Sequence, residues 1–209
     1  FLIFFFGYLF IAVSWGMGSS LQIYMNTYFW EFKSIMLASY LGIYVLSTLS
    51  AYLIVPRLVE VIEKKTILLI AISFAALIPP IPIILFINNL LPDTGTWNLF
   101  YATIPFVYVA NTCLSSSAII RESMLGDISD EVELESGIGQ QGLMFASSSL
   151  IGKLNTGLGI LMAGITLEFI NFPQGTDVMP SAENIFNLAM VQGPLVAILM
   201  IIPFGIFSL

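Results

Sequence analysis

The chain has 209 residues, 58% of them hydrophobic and 9% charged, with a net charge of −7. A soluble core of this size needs far more polar surface, so the composition assigns a membrane protein, and the lack of a basic tract excludes nucleic acid as a partner. There is no histidine, which removes the commonest metal ligand and proton shuttle, and the lone Cys113 leaves no internal disulfide.

A spanning helix needs roughly 20 mostly apolar residues. Six segments qualify: 5–30, 34–55, 66–87, 98–120, 142–170 and 185–208. The predicted fold is all-α, six transmembrane helices, with two three-helix units of opposite topology as the architectural expectation for a transporter. Both ends are apolar, Phe1-Leu2-Ile3 and Pro203-Phe204-Gly205, without a basic n-region or cleavage site, so the expectation is a fragment of a longer membrane protein. If the native chain ended where this one does, a dimer of half-sized proteins would be the alternative.

In the first span Gln22, Asn26 and Tyr24 lie near one end. Gln22 and Asn26 share a face at four-residue spacing, and Tyr24 and Tyr28 share another. They can line a sugar-binding vestibule, or form an interfacial aromatic belt with Trp30. A short turn follows with Glu31 and Lys33. The second connection holds Arg57, Glu60, Glu63, Lys64 and Lys65. In the third span Pro79-Pro80-Ile81-Pro82 is expected to kink the helix. Asn88-Asn89 and Pro92-Asp93-Thr94-Gly95 make the next turn. Asn111 and Thr112 are polar at mid-depth of the fourth span and are read as bonding a neighbouring helix.

The segment after that span, from Arg121 through Met124-Leu125-Gly126-Asp127-Ile128-Ser129-Asp130-Glu131-Val132-Glu133, is read as an acidic loop. Asp127, Asp130 and Glu133 recur every three residues. Three readings stand: a charged latch pairing with Arg or Lys elsewhere, a solvated loop with Asp130 as N-cap and Glu133 at the reciprocal position, or a Mg²⁺ site of a membrane prenyl or phospholipid transferase using Asp127 and Asp130. The fifth span carries one cation, Lys153, with Ser149 four residues before it and Gly157 four after. A lysine at that depth needs a partner, a polar cavity or the loss of its proton. Gly152, Gly157, Gly159 and Gly164 stud the same helix and permit close packing. The fifth connection runs from Phe172-Pro173-Gln174-Gly175 to Glu183.

Lys and Arg in short loops set orientation. The second and fourth connections hold Arg57, Lys64, Lys65 and Arg121, whereas the other three hold only Lys33, so both termini are predicted to be cytoplasmic. No phosphate loop ending in Lys-Ser or Lys-Thr and no Gly-x-Ser-x-Gly elbow occurs, which leaves no ATPase or hydrolase signature.

From Met124 to Glu133 the chain resembles the glycoside–pentoside–hexuronide:cation symporters, melibiose-permease-like members of the major facilitator superfamily. That family shows a small-Asp-x-x-Asp-x-x-Glu run after its tenth span, then Thr-Gly-x-Arg-x-Glu-Gly, then a lysine in the eleventh. Here the counterparts are Ser136-Gly137-Ile138-Gly139-Gln140-Gln141-Gly142 and Lys153, and Gly157-Leu158-Gly159 through Phe172-Pro173 is also similar. Gly139 replaces the family Arg and Gln141 the family Glu, so one basic and one acidic partner of the latch are absent.

The resemblance implies the C-terminal six-helix half, residues 1–209, of a secondary transporter that is not an enzyme and needs no cofactor. It implies uptake of a sugar or glycoside with Na⁺ or H⁺ by alternating access against an N-terminal half that supplies most of the cation site. The protein is then multi-pass in the plasma (inner) membrane. The implied roles are substrate contact for Lys153, Ser149, Tyr24, Gln22 and Asn26, and a cytoplasmic gate of Arg121, Asp127, Asp130 and Glu133. A non-transporting lipid carrier or scaffold of the same fold is the remaining alternative.

Overall fold

A computed structural model describes residues 2–173 and 179–208, and Gln174 and Gly175 of the fifth connection fall outside them. Six helical spans, each long and apolar enough to cross a membrane, cover Leu2–Phe29, Ser34–Val59, Lys64–Ile87, Trp97–Ser136, Gln141–Phe169 and Ala182–Phe207. Their parts are α1 (Leu2–Tyr24) running into a first π-turn (Met25–Phe29), α2 (Ser34–Val59), α3 (Lys64–Leu77), α4 (Pro80–Ile87), α5 (Trp97–Ser136) and α6 (Gln141–Phe169). The sixth span comprises α7 (Ala182–Met190), a second π-turn (Val191–Leu195), α8 (Val196–Leu199) and α9 (Ile201–Ser208).

The packing partners come in matched pairs. α1 packs on α6 as α2 packs on α5, and α1 packs on α9 as α5 packs on α3. The third and sixth spans meet each other through α3, α4, α8, α9 and the second π-turn. Exchanging spans one to three with four to six leaves this pattern unchanged, the contact symmetry of two three-helix repeats. Both third members are interrupted by proline. The third span breaks between Leu77 and Pro80, as expected of Pro79-Pro80-Ile81-Pro82, and the sixth becomes a π-turn at Pro194.

Close approach of α1 and α6 depends on two facing glycines. A Cβ on Gly159 would lie 2.8 Å from the carbonyl oxygen of Gly16 and closer still to its backbone carbons. The α2–α5 seam is held by hydroxyls and an amide instead. Thr103 donates to Phe100 O, so Tyr40 donates to Thr103 across 3.0 Å. Ser50 donates to Leu46 O, so Tyr108 donates to Ser50 across 2.6 Å. Thr48 and Ser115 lie 3.2 Å apart, and Asn111 donates to Ser47. Asn111 and Thr112 therefore do bond the neighbouring helix, as their depth suggested, Thr112 reaching Ser47 O at 3.4 Å. In hydrocarbon such bonds are worth about 0.6 kcal/mol each on average, so the seam gains from their number.

The acidic segment is not a loop. α5 has 40 residues, about 60 Å at 1.5 Å per residue, twice the hydrocarbon thickness. Beyond Ile120 it stays helical because Leu125, Ile128 and Val132 form an apolar stripe that packs with Ile67, Leu68 and Ile62 of the second connection and α3. The carboxylates occupy the other face. Asp130 is thus inside a helix, and the N-cap reading is corrected; the cap of α5 is Thr96, whose hydroxyl accepts from Leu99 N at 3.3 Å. The helix stops at Gly137, in the left-handed region at φ 69°, with its N–H on Glu133 O at 2.9 Å.

Phe4 and Phe207, near the two chain ends, pack edge to face at 6.1 Å and fix both termini at one end of the bundle. The opposite end is an aromatic core in which Trp30 is buried, stacks on Phe32 and meets Phe29 and Phe86 edge-on. Trp30 is therefore a core residue and not part of an interfacial belt.

Candidate functional site

Three places carry the candidate residues. The first is the end of the bundle that holds both termini. Lys64 Nζ meets the Asp127 carboxylate at 2.6 and 2.8 Å, an ion pair between the start of α3 and the extension of α5. Arg121 is not its partner. Its side chain is 6% exposed, its guanidinium lies 4.7 Å over the Tyr8 ring, and Nη1 donates to Ser117 at 2.8 Å. Glu122 accepts from Ser148 of α6 at 2.9 Å. Gln141, at the position where the resembling family has Glu, donates to Asp130 and to Glu133, each at 3.4 Å. An amide can bridge two carboxylates where a carboxylate would repel them.

The four residues grouped as a gate thus sit in three separate contacts, and the sequence alone did not show Lys64 as the partner of Asp127. Lys64 and Asp127 are 27% and 60% exposed, so the pair is screened. Asp127→Asn is expected to cost at most ~1 kcal/mol, and a thermal-unfolding comparison should lose the difference between wild type and variant in 1 M salt.

The second place is the outer face of α6. Its inner face is a stripe of buried residues, Met144, Ser148, Ile151, Ala163 and Leu167. Lys153 is exposed on the side away from that stripe, about 18 Å along the helix from Gln141. Ser149 and Gly157, one turn to either side, are exposed with it. Among the described residues Lys153 makes no ion pair. The exposed face divides in two. Leu143, Leu150, Leu161 and Ile165 make an apolar strip suited to lipid. Gly142, Ala146, Ser149 and Lys153 make a second strip, small around the one charge, with the exposed Ile160 two turns beyond Lys153 and Gly157 between this strip and the leucines. A Cβ added at Gly142, Gly152, Gly157 or Gly164 would meet nothing within 4 Å. Of the α6 glycines singled out from sequence, only Gly159 is used by packing inside the bundle.

The third place is an open-sided cavity of about 370 Å³ lined by α1, α2, the α3–α4 break, α5, the second π-turn and α8. Gln22 lines it, together with Gln192, Asn111, Tyr40, Tyr44 and Trp15. An amide chain crosses one wall. Gln192 Nε2 donates to Gly18 O at 2.9 Å and to Gln22 Oε1 at 3.0 Å, and Gln22 Nε2 donates to Asn26 Oδ1 at 2.9 Å. This chain joins the two π-turns, since Asn26 lies in the first and Gln192 in the second. Tyr24 faces elsewhere and packs edge-on against Phe172 at 5.7 Å, as Tyr28 does at 5.4 Å. Of the five residues grouped as substrate contacts, only Gln22 lines the cavity; Asn26 is bonded behind it, and Lys153 and Ser149 stand on α6, outside it.

A family model described as MFS/sugar transport protein matches residues 1–209, the whole chain. The chain belongs to the MFS/sugar transport protein family. This sugar transport family member is thus an integral multi-pass membrane protein, and its family is one of transporters and not of enzymes. Neither the curated proteins nor the solved structures contain a match to it. Within the family fold, Gln192, Tyr40, Tyr44 and Trp15 are cavity residues that sequence reasoning passed over, although an amide before Gly193-Pro194, deeper in the sixth span than Asn184 and Asn187, is itself a signal.

Proposed function

We propose that this chain is the C-terminal half of a melibiose-permease-like symporter that moves a sugar or glycoside with a cation, Na⁺ or H⁺, by alternating access against an N-terminal six-helix half. The observation that carries this reading is Lys153. An ammonium about 18 Å along a spanning helix, exposed and without an ion pair among the described residues, is costly in lipid. It stands on the small-residue strip of α6 and not on the leucine strip, so the face that bears it suits a water-accessible path beside a second bundle. On this reading Lys153 and Ser149 meet substrate or compete with the coupling cation in that path. The Lys64–Asp127 pair and the Gln141 bridge hold the cytoplasmic end closed, and the termini are cytoplasmic in the plasma membrane.

The test is uptake of a panel of radiolabelled glycosides by the intact transporter in vesicles under imposed Na⁺ or proton gradients. Uptake that collapses when the gradient is dissipated is expected. Uptake indifferent to every ion, or none at all, rules out symport and leaves the lipid-carrier reading. The transferase reading requires Asp127 for Mg²⁺, whereas its carboxylate is engaged by Lys64.

A further inference from the structure

We propose that Glu31 is a strained latch at the end of the bundle opposite the termini, held shut by Thr94, whose release lets the first π-turn change its hydrogen-bond register. The inference rests on alternating access and not on the choice of sugar or ion. It names the part of this half that sets how readily that end opens.

Glu31 stands out by its backbone. Among the described residues four helical segments end on a residue in the left-handed region. After α5 it is Gly137, and after α4 and α6 it is Asn89 and Asn171, residue types that tolerate this conformation. After the first π-turn it is Glu31, at φ 53°. A glutamate there brings its Cβ close to the carbonyl oxygen that follows, and such strain persists only where the surroundings hold it.

The third connection holds it. Gly95 N–H donates to Trp30 O at 2.9 Å, and the Thr94 hydroxyl donates to Glu31 Oε2 at 2.9 Å. Gly95 is itself at φ 69°, and a Cβ there would lie 3.3 Å from the Glu31 carbonyl oxygen, so glycine lets the two turns meet. Among the described residues Glu31 makes no ion pair and belongs to no acidic cluster that could hold a metal ion. Its carboxylate is spent on the Thr94 bond. That bond is exposed, so water competes for both groups. A strained residue opposed by one wet side-chain bond and one backbone bond is a two-state element.

The turn is also tied to the interior. In its closed form Phe32 N–H donates to Asn26 O and Trp30 N–H to Met25 O, each at 2.9 Å, and these bonds close the first π-turn. Asn26, fixed by its carbonyl from the turn, is bonded by its side chain to Gln22 and through it to Gln192 of the sixth span. The first π-turn also packs on α7. When Glu31 leaves the left-handed region for the extended one, the chain after it changes direction and Phe32 N–H comes off Asn26 O. The π-turn is then free to return to α-helical bonding, which turns its side chains against α7 and slackens the amide chain to the second π-turn.

The experiment is the rate of thiol labelling at a single cysteine in place of Ala189, in the purified intact transporter free of other cysteines, with no sugar or ion gradient present. Ala189 is buried in the same core as Trp30 and Phe32. Thr94→Val and Glu31→Ala both remove the link and leave residue 31 strained, so labelling should speed up about tenfold or more. Glu31→Gly removes the link and the strain together, so labelling should stay within about twofold of wild type. Alanine and glycine at position 31 lose the same carboxylate, so the difference between them reads the strain. If Glu31→Ala does not fold, Thr94→Val against Glu31→Gly gives the same comparison. Labelling at the wild-type rate in Thr94→Val or Glu31→Ala, or labelling in Glu31→Gly as fast as in either, overturns the latch. No sugar enters this measurement, so a failed uptake test removes the symport reading and leaves this result standing.

Discussion

Gly16→Ala is expected to abolish accumulation of folded protein, whereas Gly157→Ala, on α6 only two residues from the glycine that faces Gly16, is expected to leave it intact. The α1–α6 contact is built on backbone approach at Gly16 and Gly159. A Cβ on Gly16 would overlap the carbonyl and side-chain oxygens of Asn155 and come within 3.0 Å of Gly159 Cα. The Asn155 side-chain oxygen can swing aside, but the Asn155 carbonyl and Gly159 Cα are backbone and cannot. Two spanning helices would have to move apart along their length, and the small-residue seam that lets membrane helices gain dispersion energy would be lost. The cost should reach about 3 kcal/mol or more, the upper part of the range for overpacking. At Gly157 an added Cβ meets nothing within 4 Å, and alanine in a helix interior is favoured over glycine by up to ~1 kcal/mol. Size-exclusion profiles and thermal melting of the two variants in detergent check the difference. Equal behaviour would show that the glycine pair does not set the α1–α6 distance.

Lys153→Ala is expected to remove sugar uptake without removing folded protein. Inside the bundle the side chain makes no ion pair among the described residues, and Gly152 beside it has open space around it, so truncation opens no hole in the core. The loss should instead fall on transport, by about tenfold or more, or ~1.4 kcal/mol of interaction with substrate or coupling ion. Lys153→Arg keeps the charge but replaces a compact ammonium with a planar fork, and partial activity is expected of it. Uptake at the wild-type rate in Lys153→Ala, with cation dependence retained, would remove this residue from the transport path.

The six spans were legible because the bilayer imposes a length and an apolar composition that the sequence must meet residue by residue. The proline break in the third span was legible for the same local reason, the missing N–H and fixed φ of the ring. What failed was the acidic segment after Ile120. A 20-residue window ends where the hydrocarbon ends, but α5 continues because Leu125, Ile128 and Val132 find α3 to pack on, a tertiary fact. Carboxylates at three-residue spacing fit a capped loop and the outer face of a long helix equally well, and only the apolar stripe between them separates the two. Lys64 as the partner of Asp127 was out of reach because the two are 63 positions apart. Tyr24 was grouped with Gln22 by proximity along the helix, although two residues apart places them on different faces, and the fold sends one to Phe172 and the other to the cavity. Ring contacts made Trp30 a core residue, where its position at a span end suggested the interface.

The most direct measurement is thiol accessibility along α6 in the intact transporter, with Cys113 replaced by alanine and single cysteines placed at Ser149, Lys153, Gly157, Leu150 and Leu161. A membrane-impermeant thiol reagent should label positions 149 and 153 and leave 150 and 161 unlabelled, since the first two share the small-residue strip and the last two the leucine strip, with 157, in line with 150 and 161, as the boundary position. Labelling at 149, in the variant that keeps Lys153, should also fall when a transported sugar is added. If 149 and 153 are as inert as 150 and 161, no water reaches the face that carries the lysine, and the transport path drawn along it does not exist.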